Sequence, residues 1–476
     1  MKQKNCETKS TTPKIRVVLN GKAVLAEAGT VLSELLGLEK PCGGKGNCGK
    51  CRVRVDGNEV LACQYAIASE ITVETETLSR HSSEIASATD VSERGTRVEN
   101  LAFALDIGTT TLALALVSLD EKRAIRVITA ANPQRRFGAD VMSRIEYAQR
   151  HTVKELQRVL IAEINRMIAE LGATADVLYV SGNVTMLHTL FGVDCSPIGV
   201  YPYTPAFLGG REEAAEALGL KGVSRVVSLP SVSSFVGADV VAGLHLIGMP
   251  EDGSCNLLID LGTNAEVVLY SNRSGVATAA AAGPCFEAAN ITCGMSAASG
   301  AVCAFSLNYG HTSCKTVADA APKGICGTGL IDLIAELFKN GIIDETGYMA
   351  ADYRLADGVF LTPEDVRQYQ LAKSAVCSAI LTLMQEAGIG FDKIAKVYLS
   401  GGFSSEINLH SATVSGLLPK ELAHKAEALG NSSLRGTVRY ACEGGDLNRF
   451  SDMIRYADLS ENPYFTKLFL ENMAFG

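Results

Sequence analysis

Residues 256–270 read NLLIDLGTNAEVVLY, and residues 101–117 read LAFALDIGTTTLALALV. The two stretches share one grammar: a buried apolar run, a single Asp, Gly-Thr, a polar residue, then a second apolar run. Alignment superimposes Asp106 on Asp260, Gly108 on Gly262 and Thr109 on Thr263. Each copy predicts a β-hairpin whose tight turn carries the polar side chains. Such a turn brings backbone N–H groups and hydroxyls up to phosphate oxygens, and an Asp just before it stands ready for Mg²⁺. A single copy reads as a turn aspartate with a solvated side chain. Two copies predict a duplicated α/β fold with a phosphate clamp between its halves.

The order of elements beyond the hairpins repeats as well. VKELQRVLIAEINRMIAEL at 153–171 has apolar positions at helical spacing, and DVLYVSGNVTMLH at 176–188 is a buried strand opening onto Gly182-Asn183. After the second hairpin and an insertion come a helix, EDVRQYQLAKSAVCSAILTLMQEAGI at 364–389, and a strand, KVYLSGGF at 396–403, which opens onto Gly401-Gly402. Hairpin, helix and strand ending at glycine, twice over, indicate internal duplication. Asp106 and Asp260 are then the candidate catalytic carboxylates, holding Mg²⁺ through water or positioning the attacking water. Gly108, Thr109 and Thr110 in one turn and Gly262, Thr263 and Asn264 in the other are candidate phosphate contacts, with the hydroxyls as donors. Gly401 and Gly402 end the second strand, and Gly-Gly after a strand is by itself an ordinary turn. Glu266, one strand position beyond the second turn, is placed to orient water but ranks no higher than a strand-face glutamate. Asn183, Thr185 and His188 form a local polar group, and a lone His among apolar neighbours is more often structural than catalytic.

Upstream, KIRVVLNGKAVLAEAG at 14–29 has two strand-like runs joined at Asn20-Gly21, a two-residue hairpin signal, and residues 30–36 predict a short helix. PCGGKGNCGKC follows, with Cys42, Cys48 and Cys51 in the pattern C-x5-C-x2-C, and Cys63 comes later in LACQ. Three clustered cysteines and one distant one, with a C-x2-C pair, is the plant-type [2Fe–2S] arrangement. The glycines at 43, 44, 46 and 49 suit a loop that must bring backbone N–H groups against sulfur. Zinc competes chemically for four cysteines, but zinc ribbons usually offer two C-x2-C pairs and this segment has one. Cys6 reads as an incidental thiol. Cys285, Cys293, Cys303, Cys314 and Cys326 match no standard ligand spacing and read as buried or incidental thiols. AGPCFEAANITCGM at 282–295 reads as a loop, and the aromatic tail ENPYFTKLFLENMAFG is expected to pack back onto its domain.

A chain of 476 residues exceeds one ordinary core, so two or three domains are expected. The expected division is a flexible N-terminus over 1–13, a cluster domain over 14–77, a Ser/Thr-rich tether over 78–97, and a larger duplicated domain over 98–476 with subdomains of about 98–250 and 251–476. Hydrophobic residues at 47 % and charged residues at 20 % describe a soluble globular protein, not a disordered chain. A net charge of −9 argues against general affinity for nucleic acid or anionic lipid. The polar N-terminus has no apolar signal core, and no apolar run is long enough to span a bilayer, so a cytoplasmic location is the expectation. Fourteen cysteines in such a chain are core thiols or metal ligands, not a disulfide framework.

The duplicated motifs resemble the superfamily of ATPases that includes actin, the seventy-kilodalton heat-shock chaperones, and the sugar and acetate kinases. In that superfamily the first phosphate motif falls on residues 106–111, the second on 260–264 and the adenosine motif on 399–403. With an N-terminal [2Fe–2S] segment, and with NPQRRFGADVMSRI, GNVTMLH, YPYTP, FVGADVVAG, AGPCFEAANITCGM and GICGTGLID, the chain resembles the ATP-dependent reductive activators of corrinoid proteins. The resemblance implies a β-grasp ferredoxin-like domain followed by a duplicated actin-like (ribonuclease H-like) domain. It also implies a [2Fe–2S] cluster, ATP and Mg²⁺, a corrinoid protein of a methyltransferase system as partner, a low-potential electron donor, and a homodimer. Two other readings remain open at this level: a small-molecule kinase of the same superfamily, and a nucleotide-gated ferredoxin that carries electrons or senses redox state. The activators of 2-hydroxyacyl-CoA dehydratases fit less well, because they share a [4Fe–4S] cluster between subunits and four cysteines here lie in one module.

Overall fold

The computed structural model describes residues 14–36, 38, 51–74, 100–250, 253–308, 310–402 and 404–476. Cys6, Cys42, Cys48, the expected tether over 78–97 and Phe403 lie outside these residues. Two compact units are present, one containing the N-terminal sheet with Pro133–Arg150, the other containing residues 100–132 and 151–476.

The N-terminal sheet has five strands in the order Lys22–Glu27, Lys14–Leu19, Ile71–Glu74, Arg52–Val55 and Asn58–Leu61. Its first hairpin turns at Asn20 and Gly21, both at positive φ (45° and 83°), as a two-residue turn between right-twisted strands requires. Lys14–Leu19 runs parallel to Ile71–Glu74, and the short helix Leu32–Leu35 buries Leu32 in a core with Val17, Val53, Ile67 and Val73. A mixed sheet with a parallel central pair and one short helix is the β-grasp arrangement. Pro133–Arg150 supplies a 3₁₀ turn and the helix Val141–Arg150, whose buried Arg144 donates through Nε to the Gly138 carbonyl at 3.0 Å.

In the second unit two six-stranded sheets repeat one plan. The first has the order Glu212–Ala214, Val223–Ser228, Ala175–Gly182, Leu101–Ile107, Thr111–Ser118, Arg123–Ala131. The second has the order Ala426–Gly430, Ile394–Ser400, Cys255–Leu261, Ala265–Tyr270, Gly275–Ala280, Ile454–Tyr456. Five strands correspond one to one; the sixth is an antiparallel edge in the first sheet and a parallel edge in the second. Leu101–Ile107 is an unbroken apolar run up to its aspartate and Cys255–Leu261 is broken before its aspartate only by the buried Asn256, because both faces are covered. The helices Val153–Leu171 and Pro363–Ala387 follow in equivalent places, the latter opened by a capping box of Thr362 and Asp365. An insertion adds a three-stranded sheet and the helix Gly327–Lys339 to the second half.

The halves meet where the helices Ala238–Ile247 and Ser432–Glu443 pack together. A Cβ on Gly436 would lie 1.9 Å from the Ala242 carbonyl oxygen, so this crossing tolerates only glycine. The aromatic tail returns to the second half, as expected. Phe475 is buried against Phe338 and Tyr369, Gln370 donates to the Met473 carbonyl at 2.7 Å, and Lys373 donates to the Ala474 carbonyl.

Candidate functional site

Both hairpin turns are closed by the N–H of their glycine, the first turn being one residue longer than the second. Gly108 N–H donates to the Thr111 carbonyl at 3.0 Å, and Gly262 N–H donates to the Asn264 carbonyl at 2.9 Å. A Cβ on Gly108 would stand 2.7 Å from the Thr111 oxygen, which explains the glycine. Asn132 braces the first turn from outside, its N–H donating to the Thr110 carbonyl and its Nδ2 to the Gly108 carbonyl, each at 2.8 Å. Asn183 caps the helix Val184–Phe191 through Oδ1 and donates from Nδ2 to Thr109 Oγ1 at 3.1 Å.

The strand-end glycines correspond as well. Gly182, at φ 153°, could carry a Cβ only 2.8 Å from the Ile107 carbonyl oxygen, and Gly401, at φ 121°, only 2.2 Å from that of Leu261. Each glycine therefore lets a strand end close onto the residue that follows the hairpin aspartate. Gly402 has no atom within 4 Å of a Cβ position and leaves open space beside the backbone.

Asp106 is gripped by the other half. Asn431 Nδ2 donates to its Oδ2 and Ser433 Oγ to its Oδ1, both at 2.8 Å, at the N-terminus of the helix Ser432–Glu443. The same helix end ties both strands: Ser433 Oγ bonds Ser181 Oγ at 2.8 Å, and Ser432 bonds Ser400. The Asp260 carboxylate makes no hydrogen bond or ion pair among the described residues. Its carboxyl is pushed up to about 8 by burial, then by the charges of Asp239 and Asp106. Asp239, in the first turn of Ala238–Ile247, is pushed up to about 7 by burial and by Asp106. Burial, Asp239 and Asp260 raise Glu266 well above the usual carboxylate range, and burial raises Asp106 against its two hydrogen bonds.

Four half-buried carboxylates thus share a cleft without a cationic partner among the described residues. No three acidic, His or Cys side chains of the described residues converge closely enough to hold an ion by themselves. The donor set therefore fits Mg²⁺ as that ion is usually bound, through water and phosphate with one or two carboxylates, and a dication there would relieve the mutual repulsion. Glu287 completes the cleft: its Oε2 accepts from Thr110 Oγ1 at 2.8 Å and from Thr263 Oγ1 at 3.2 Å, one hydroxyl from each turn.

Asp239, Glu287, Asn431 and Ser433 were not among the residues expected from sequence. Asp239 and Glu287 carried a weak signal, each being an isolated acid in an otherwise apolar or small-residue stretch, FVGADVVAG and AGPCFEAANITCGM. Asn-Ser-Ser before a helix signals a cap but not what the cap holds. The 282–295 stretch is irregular apart from the 3₁₀ turn Pro284–Glu287, so it is a loop that does carry a site residue. His188 is structural: Nδ1 donates to the Val184 carbonyl at 2.8 Å, Nε2 accepts from Ala206 N–H at 3.1 Å, and the ring stacks on Phe207.

In the N-terminal unit, Cys51 directly precedes the strand Arg52–Val55 and Cys63 directly follows the 3₁₀ residue Ala62 beyond the paired strand Asn58–Leu61. Ala62 N–H donates to the Cys51 carbonyl at 2.9 Å, so one hairpin brings both buried cysteines to the same end of the sheet. Two thiols so placed fit half of a four-cysteine ligand set.

Residues 101–252 match the family model described as the RACo middle region, and residues 254–476 match the C-terminal domain of RACo, the ASKHA domain. The chain belongs to the RACo family. Among curated relatives of this RACo-family chain, the corrinoid activation enzyme RamQ of Eubacterium limosum is 27 % identical, covering 93 % of this chain and 94 % of its own. The [Co(II) methylated amine-specific corrinoid protein] reductase of Methanosarcina barkeri is 26 % identical over 74 % of this chain and 72 % of its own. A solved reductive activator for corrinoid, iron-sulfur protein superimposes with a TM-score of 0.72 at 25 % identity, covering 97 % of this chain and 98 % of that one.

Proposed function

We propose that this chain reduces the Co(II) form of a corrinoid protein to Co(I) in a step driven by ATP hydrolysis. The observation that carries the proposal is the duplicated turn and carboxylate, Asp106 with Gly108–Thr110 and Asp260 with Gly262–Asn264, in a member of a family whose named relatives activate corrinoid proteins. The turn hydroxyls and N–H groups would bind the phosphates. Asp260, without a hydrogen bond among the described residues, would orient Mg²⁺-bound water or the attacking water. Asp106, locked to the helix Ser432–Glu443, would link phosphate contact to the packing of the two halves. Gly401 and Gly402 would receive adenosine.

Cys42, Cys48, Cys51 and Cys63 would hold the [2Fe–2S] cluster, which when bound supplies a one-electron centre. Co(I) is a strongly reducing product, and for a one-electron couple each ~59 mV uphill costs a factor of ten in the equilibrium constant. Electron supply alone therefore leaves little Co(I). Closure of the two halves around nucleotide can raise that yield only by changing the relative affinity for the two cobalt states. The partner would be a corrinoid protein of a methyltransferase system, with reductant from a low-potential donor and the protein acting in the cytoplasm as a homodimer. No described helix is long and apolar enough to cross a membrane. Anaerobic absorption spectroscopy of a Co(II) corrinoid protein with this protein, reductant and MgATP tests the proposal: the Co(I) band is expected only when both protein and MgATP are present. No Co(I) with the cluster reduced would overturn it.

A further inference from the structure

Thr110 and Thr263 hold the only side-chain hydroxyl contacts that join the two phosphate turns through one acceptor, Glu287 Oε2, among the described residues. A threonine hydroxyl has one proton to donate. Both protons point to a carboxylate, and a phosphate oxygen, itself acceptor-only, can receive them only in its place. From these hydrogen bonds we infer that Glu287 is an intramolecular competitor for the phosphate position, displaced by the terminal phosphates of the nucleotide. The inference rests on the nucleotide-site reading above and adds to it a residue that sets affinity and selectivity.

The surroundings favour movement of the side chain over movement of its backbone. Phe286 is fully buried, and its carbonyl oxygen would lie 1.8 Å from a Cβ on Gly327, so glycine there lets the helix Gly327–Lys339 clamp the peptide before Glu287. The turn is closed by Ala288 N–H to the Cys285 carbonyl at 2.8 Å and Ala289 N–H to the Pro284 carbonyl at 3.0 Å. A Cβ on Gly262 would sit 3.9 Å from Glu287 Oε1, so the carboxylate lies against the second turn itself. Further along the loop, Thr292 donates to Asp365 Oδ1 from its N–H at 2.7 Å and its hydroxyl at 3.0 Å, at the cap of Pro363–Ala387. The segment bearing Glu287 is thus anchored on both sides while the side chain reaches into the cleft.

A negative competitor penalises only ligands that need its place. ATP and ADP, whose outer phosphates would reach the two hydroxyls, must displace it; AMP and adenosine need not. Calorimetric titration of the full chain with Mg²⁺ and a non-hydrolysable ATP analogue, ADP, AMP or adenosine tests this with Glu287→Gln and Glu287→Ala, both checked for native melting. The expected result is affinity for the ATP analogue and ADP raised about tenfold or more in both variants, with AMP and adenosine unchanged. Weaker binding of the triphosphate would overturn the inference and make Glu287 a contributor to Mg²⁺ or phosphate binding. An equal shift for all four ligands would overturn it in favour of a structural role, and unchanged affinity for all four would overturn it as well. Failure of the wild-type chain to bind any nucleotide would instead overturn the nucleotide site, and this inference with it.

Discussion

Asp260 sits near the end of the strand Cys255–Leu261, in a cleft with three other acids, and its carboxyl is pushed up to about 8 by burial first and by Asp239 and Asp106 second. Between the ordinary carboxylate value near 4 and about 8 the folded chain holds a proton that the unfolded chain has released. Stability is therefore full below about pH 4 with respect to this group and declines as pH rises to about 8. Thermal melting across that window should show the decline. Asp260→Asn should lessen it, leaving the part that Asp239 and Glu266 contribute, raise the melting temperature at pH 8 in the absence of nucleotide, and lower ATP hydrolysis about a hundredfold or more. Binding of Mg²⁺-nucleotide below pH 8 should release protons, measurable by calorimetry in buffers of different ionisation enthalpy. Asp106 and Asp260 were legible because duplication doubles a weak signal. Asp239 and Glu287 were not, because each acts across the cleft on residues far away in the chain, and no local spacing encodes that.

At the scale of elements, the glycines separate packing from binding. Gly436→Ala would drive a Cβ into the backbone of the facing helix, and urea unfolding should show a loss of about 3 kcal/mol or more, with nucleotide hydrolysis falling because the helix also carries Asn431 and Ser433. Gly402→Ala meets open space, so its stability should stay within about 0.5 kcal/mol of wild type while nucleotide affinity drops about tenfold. The helices Val153–Leu171 and Pro363–Ala387 and both hairpins were readable from apolar period and turn chemistry, since those are local properties. The packing of Ala238–Ile247 against Ser432–Glu443 was not, because both helices are rich in small residues whose meaning appears only when the facing backbone is in place.

For the whole molecule, the proposed function joins two chemistries in one chain. Cys51→Ser should remove Co(I) formation while nucleotide hydrolysis persists, because the nucleotide cleft lies wholly within the second unit. The C-terminal tail belongs to that unit's stability: Phe475→Ala should cost about 3 kcal/mol on unfolding, since it removes a buried ring from beside Tyr369 and Phe338 and from over the Lys373 ammonium. The central claim is that hydrolysis and cobalt reduction are coupled. The direct measurement follows Co(I) absorbance and ADP release together, anaerobically, with reductant, a Co(II) corrinoid protein and either wild-type chain or Asp260→Asn. Coupling predicts that Co(I) and ADP rise together with wild type and that neither rises with the variant, although its cluster is reduced normally. Equal Co(I) yield without MgATP, or from the variant that cannot hydrolyse it, would contradict the account.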